Sequence, residues 1–265
     1  MQHLNFGRLG QFFALTLGLL LCLPALADAD KGLQIAQEQK KRDTGWGDSE
    51  SQLLMVLRDA SGNESVRRMR TQALEVVGDG DKSLTVFDEP FDVRGSAFLT
   101  HSHPTAEDEQ WLYLPTIKRT RRIATRNKSG PFMASEFAYE DMTSFELEKY
   151  SFRYLRDEEI NGINTFVIER IPADTFSGYS KTIAWVDQQH YRVQKIEFYD
   201  KKQSLLKTLV ASNYTLFKDK YWRPMLLQMQ NHQTGKSTDL VIEQLQFDVG
   251  RDAADFDVNM LDRLR

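Results

Sequence analysis

The sequence predicts a mainly β protein built on a single antiparallel, strongly curved sheet, with a helix at each end. Three observations predict it. Short runs rich in β-branched and aromatic residues follow one another from Gln52 to Phe247, separated by polar or glycine-containing turns. Helix-favouring stretches lie only outside that span. No linker rich in proline, glycine or serine divides the chain, so residues 28–265 read as one domain.

The elements follow in order. Residues 1–9 carry Arg8 and no acid, residues 12–23 are almost continuously apolar, and Pro24-Ala25-Leu26-Ala27 closes the segment. This is the pattern of a signal peptide. The apolar run is well short of the roughly 20 residues that span a bilayer as a helix, and Ala25 and Ala27 stand at the small-residue positions of a cleavage site. Residues 1–27 are therefore expected to be removed, leaving a soluble periplasmic protein that starts at Asp28. Cys22 follows Leu21, whereas a lipidated cysteine needs a small residue before it, so no lipid anchor is expected.

Residues 33–41 read as a short helix that ends near Gly45-Trp46-Gly47. Residues 52–58 and 65–77 flank the turn Ala60-Ser61-Gly62-Asn63, 83–87 and 96–100 flank Pro90 and Gly95, and 110–114 and 119–125 flank Pro115. In the second half, 150–157 and 164–171 meet at Asn161-Gly162, a strong hairpin signal; there Phe166, Ile168 and Arg170 alternate against Val167, Glu169 and Ile171. Residues 181–187, 192–199, 205–217, 225–231 and 237–247 continue the meander, to about ten strands in all. Residues 253–264 read again as helix.

Composition excludes several functions. The one cysteine leaves with the leader, so residues 28–265 hold no thiol for a disulfide, for thiolate catalysis or for a metal. Loss of Arg8 takes the formal net charge of -4 down by one, a mild acidity that argues against general nucleic-acid binding. Neither a nucleophile elbow nor a phosphate loop nor a dinucleotide fingerprint occurs, so no catalytic residue and no cofactor is expected, and the chain does not read as an enzyme.

Three stretches go beyond a generic β pattern. Asp108-Glu109-Gln110-Trp111-Leu112-Tyr113-Leu114-Pro115, followed by Arg119, Arg121 and Arg122, resembles the LolA/LolB-like family of periplasmic lipoprotein carriers. In that family a strand bearing Trp-x-Tyr-x-Pro runs into a turn and a returning strand, and Trp111, Tyr113 and Pro115 stand in those places. Ser129-Gly130-Pro131-Phe132-Met133-Ala134-Ser135-Glu136-Phe137-Ala138-Tyr139-Glu140-Asp141-Met142 is similar to the signature of the subgroup named for outer-membrane lipoprotein sorting. It departs at Pro131, where a small residue is common, at Ala134, where glycine is, and at Glu136, where aspartate is. Ala184-Trp185-Val186-Asp187, Arg192-Val193-Gln194-Lys195-Ile196-Glu197-Phe198-Tyr199-Asp200 and Tyr221-Trp222-Arg223-Pro224 follow in the order that the subgroup uses. The resemblance covers residues 52–264. It implies an unclosed, LolA-like half-barrel whose concave face, partly covered by helices, shelters a lipid, a lipoprotein acyl chain or another hydrophobic ligand. By family association it also implies an inner-membrane exporter of the resistance-nodulation-division (RND/MMPL) type as a partner.

Candidate site residues follow from both lines. Trp111, Tyr113, Phe132, Met133, Phe137, Tyr139 and Met142 can line a hydrophobic cavity or form its lid, and core packing is the alternative for each aromatic among them. Phe132, Met133, Phe137 and Met142 lie in a segment with poor strand alternation, which suggests a lid or docking surface. Arg119, Arg121, Arg122 and Arg126, with Lys118 and Lys128, form a basic run suited to lipid head groups or an acidic partner; a solvated edge strand is the alternative. Glu136, Glu140 and Asp141 are near enough in sequence to neutralise part of it. His101-Ser102-His103 has the spacing of two imidazoles on one strand face, but Pro104 follows and no third histidine is near, so it reads as loop and not as a metal site. The expected function is a carrier or chaperone that exchanges a hydrophobic ligand with a membrane partner. The alternative is an accessory subunit of an exporter, without lipid cargo.

Overall fold

Leu23–Arg42 forms one α-helix, α1, in the computed structural model, which describes residues 23–263. The helix is longer than the expected 33–41 because Ala25, Ala27 and Ala29 continue it N-terminally with the strongest helix former. Of the expected leader, residues 1–22 lie outside the described residues. Thirteen strands follow: β1 Asp48–Arg58, β2 Glu64–Leu74, β3 Lys82–Glu89, β4 Ala97–His101, β5 Glu109–Leu114, β6 Arg119–Arg122, β7 Tyr150–Ile160, β8 Ile163–Pro172, β9 Tyr179–Asp187, β10 Val193–Asp200, β11 Leu205–Phe217, β12 Tyr221–Asn231 and β13 Ser237–Phe247. Every run singled out in the sequence forms a strand, which makes thirteen where about ten were expected. At Asn161-Gly162 the two φ angles are 52° and 78°, the paired positive φ of a tight hairpin turn whose twist matches its strands.

All thirteen strands belong to one antiparallel sheet, in the order β6-β5-β4-β3-β2-β1-β13-β12-β11-β10-β9-β8-β7. The expected single meander is two. β1 to β6 run outward one way, β7 to β13 run back from the far side, and the sheet is continuous because β13 pairs with β1 from Ser49↔Phe247 to Arg58↔Ser237. Although consecutive in sequence, β6 and β7 are the two free edges. The sheet does not close into a barrel and has the form of an open half-barrel.

Side-chain alternation divides the sheet into an inner and an outer face. Met55, Met69, Phe87, Phe98 and Leu112 point inward into the main core, while Leu84, Val86, Ala97, Leu99 and Tyr113 point outward into a second cluster. α1 lies on the inner face across β7 and β8 and buries Ile35 against Ile168, Ala184 and Val186. The outer cluster is covered by the C-terminal segment. There the expected helix over 253–264 is replaced by two short 3-10 turns, Ala253–Phe256 and Val258–Arg263. Asp252 caps the first through the Ala254 amide at 2.8 Å, and Asp257 stands between the turns in extended backbone (φ -79°, ψ 130°). This break lets Phe256 and Leu261, both fully buried, drop onto the sheet.

Candidate functional site

Since β6 and β7 lie at opposite edges, the chain between them must traverse the sheet, and burial of Phe132 and Phe137 in the main core places it on the inner face. That connection, residues 123–149, is far longer than the roughly 12–15 residues at which unstructured loops become uncommon. Its apolar residues are its ballast: the Phe132 ring sits 4.9 Å from Phe98 and 6.0 Å from Phe87, and Tyr139 sits 5.6 Å from Phe98. Polar side chains then lock it down. Asp141 accepts hydrogen bonds from Tyr179 Oη at 2.8 Å, Lys207 Nζ at 2.6 Å and the Ala138 amide at 2.7 Å. Lys207 also donates to the Glu136 carbonyl at 2.8 Å, and the Glu136 carboxylate receives Asn231 Nδ2 at 2.7 Å. Glu140 accepts from Ser177 Oγ at 2.7 Å and from the Gly178 amide at 2.8 Å. Glu136 and Asp141 thus serve the sheet, while Glu140 holds the loop before β9 and also feels the charge of Lys128 in the basic run. Within that run Arg122 pairs with Glu109 at 2.9 Å and Lys128 with Asp174.

Beside this strap, between the C-terminal half of α1 and strands β10 to β12, the inner face encloses a cavity of about 800 Å³, within the roughly 300–1,000 Å³ of small-molecule sites. Val193, Ile196, Leu209, Ala211 and Leu227 give it an apolar floor. Gln39, Ser144 and Phe145 form part of its wall, and Tyr191, Tyr214 and Trp222 add aromatic surface to the lining. Cations in the lining are individually engaged. Lys40 pairs with Glu146 at 3.0 Å, Arg223 with Asp43, and Arg192 with Asp187 at 2.7 Å while lying 4.6 Å from the Trp222 ring and 5.0 Å from Tyr214. Asp81, also in the lining, is pushed up to about 6 by burial, against the pull of Lys40.

The structure separates the residues singled out from sequence. Trp111 and Tyr113 are on the outer face, with Phe256 and Leu261, because β5 alternates and its Leu112 takes the inner position. Phe132 and Phe137 are buried in the main core, and Met133, Tyr139 and Met142 pack half-buried against it. None of these seven lines the large cavity. Arg119, Arg121 and Arg122 are exposed on edge strand β6, and Arg126 is exposed in the turn that follows. His101 and His103 have separate partners: the first meets the Phe256 carbonyl at 2.8 Å, the second Asp79 at 2.9 Å. The cavity residues come from α1, the strap, several connecting loops and strands β10 to β12, so no short motif gathers them. The signal that reaches them is the third stretch of the family resemblance, since Arg192, Val193, Trp222, Arg223 and Pro224 all line the cavity.

A family model described as "Uncharacterized protein" matches residues 79–263. A solved domain from Vibrio parahaemolyticus, named for outer membrane lipoprotein sorting, is 57% identical over 89% of this chain and 100% of its own, with a TM-score of 0.87. The chain belongs to the LolA-like family. A DUF1329 family protein from Desulfovibrio piger is 28% identical to this LolA-like chain over 88% of it and 99% of its own length, with a TM-score of 0.84. A LolA superfamily protein from Nitrosomonas europaea, 20% identical over 86% and 98%, shares the fold with a TM-score of 0.69. No curated protein matches the chain.

Proposed function

We propose that this LolA-like protein is a periplasmic carrier that holds a lipid or a lipoprotein acyl chain in the cavity between α1 and β10 to β12, and exchanges it with a membrane partner. The cavity carries this reading: about 800 Å³ over an apolar floor can bury chain at about 0.8 kcal/mol per methylene. The role of lipoprotein sorting in the name of the 57% identical domain supports it. Among the described residues, no helix is long and apolar enough to cross a membrane, as a carrier released by leader cleavage requires. Function is binding and release, without a reaction. α1 governs access, because its C-terminal half supplies Gln39, Lys40 and Arg42 to the lining, whereas the strap is hydrogen-bonded to the sheet through Glu136 and Asp141. The basic edge of Arg119, Arg121, Arg122 and Arg126 meets anionic head groups or the partner, which by family association is an RND/MMPL-type exporter.

The test is native mass spectrometry with lipid extraction on the mature chain, purified from a periplasm without detergent. A bound lipid or acylated peptide is expected, and Ala211→Trp, which fills the cavity from its floor, is expected to remove it while preserving the far-UV circular dichroism. An unloaded mass that takes up no lipid on incubation would sink the carrier reading and favour the accessory subunit without cargo.

A further inference from the structure

Arg170, on β8 beneath α1, is 6% exposed. A buried guanidinium is normally matched by a carboxylate, because an unpaired charge in a low-dielectric interior is costly. The buried Lys207 obeys that rule with Asp141. Arg170 does not. It donates from Nη2 to the Gln39 amide oxygen at 3.1 Å and lies 4.6 Å from the Phe145 ring. Among the described residues it makes no ion pair, and its buried Nε has no hydrogen-bond partner. Burial lowers its pKa to about 10, which leaves the charge in place at neutral pH.

Two of its neighbours, Gln39 and Phe145, are wall residues of the cavity; the third, the Tyr150 phenol, is held neutral by burial, which pushes it up to about 12. The uncompensated charge is therefore one side chain behind the surface that a ligand touches. We propose that the cavity takes an amphipathic anion, whose carboxylate or phosphate is received by Arg170 at the Gln39–Phe145 wall while its chain lies on the floor of β10 to β12. This rests on the carrier reading and specifies its ligand. Rotation of the Gln39 amide frees a guanidinium edge, and the incoming anion supplies the counter-charge that the fold omits.

The experiment compares hexadecanoic acid, a lysophosphatidic acid and uncharged hexadecanol in fluorescence-displacement titrations of the mature chain. Wild type is expected to hold at least one of the two anions about tenfold or more tightly than the alcohol. Arg170→Gln is expected to bring that anion to the affinity of the alcohol, whose own binding stays unchanged. Gln39→Glu places a carboxylate against the guanidinium and serves as second variant where Arg170→Gln does not fold; it too is expected to erase the preference. The stronger anion tells carboxylate from phosphate. A wild type without preference, or a preference that survives the variants, overturns the anion site while the carrier reading stands. Failure of all three probes to bind removes the carrier reading itself.

Discussion

Ala134 has φ +60° beside Met133 at +48°, two successive side chains in the left-handed region, where a Cβ is disfavoured by roughly 1–2 kcal/mol per residue. The family signature commonly has glycine at this place. Ala134→Gly is expected to stabilise the protein by about 0.5–1 kcal/mol after the extra unfolded-state entropy of glycine is subtracted; urea unfolding measures it, and an unchanged midpoint would show that the strap does not strain this residue. Asp81 responds to pH. Its carboxyl, raised by burial from 3.8 to about 6, binds its proton more tightly in the folded chain than in the unfolded one. Its stabilising contribution is complete below about pH 4 and is lost as pH rises through about 6, so stability falls across that interval. Asp81→Asn is expected to flatten the slope and to stabilise at pH 7 by about 1–3 kcal/mol, one pKa unit being about 1.4 kcal/mol. Melting curves at pH 4, 5, 6 and 7 that keep the wild-type slope in the variant would exclude Asp81 as its source.

At the scale of elements, α1 docks closely enough that a Cβ on Gly32 would stand 2.7 Å from the Tyr154 amide nitrogen and 2.8 Å from the Arg153 carbonyl carbon, both on β7. Helix propensity favours alanine there by about 1 kcal/mol, but overpacking against rigid backbone costs roughly 1–3 kcal/mol. Gly32→Ala is therefore expected to destabilise, and a net gain on denaturant titration would mean that α1 moves freely on its strand. How far the sequence reveals such elements depends on whether their cause is local. The hairpin at Asn161-Gly162 was legible because two residues determine it. The separation of Trp111 and Tyr113 from the strap was also written in the sequence, in the alternation with Leu112, but the family resemblance common to both stretches obscured it. The C-terminal 3-10 turns were not legible as such, since only burial of Phe256 and Leu261 on the sheet decides between them and a helix. Least legible was the cavity, assembled from a helix, the strap, several loops and three strands by pairings that no neighbouring residues encode.

At the scale of the molecule, one sheet and one strap tie both meanders together, and we propose that residues 28–265 unfold as a unit. Far-UV circular dichroism and tryptophan fluorescence are expected to report coincident transitions; two separated ones would divide the domain at the β1–β13 seam. That seam also sets the route of the chain. Because β1 and β13 are neighbours in the middle of the sheet, a circular permutant joined at the native ends and opened within residues 123–149 would keep every strand beside its present partners. Such a chain would zigzag once from rim to rim, with no segment obliged to pass over the inner face. In the native connectivity a passage from rim to rim is compulsory: that some segment covers the sheet follows from the order in which the strands were strung, and the side chains decide only which face it covers.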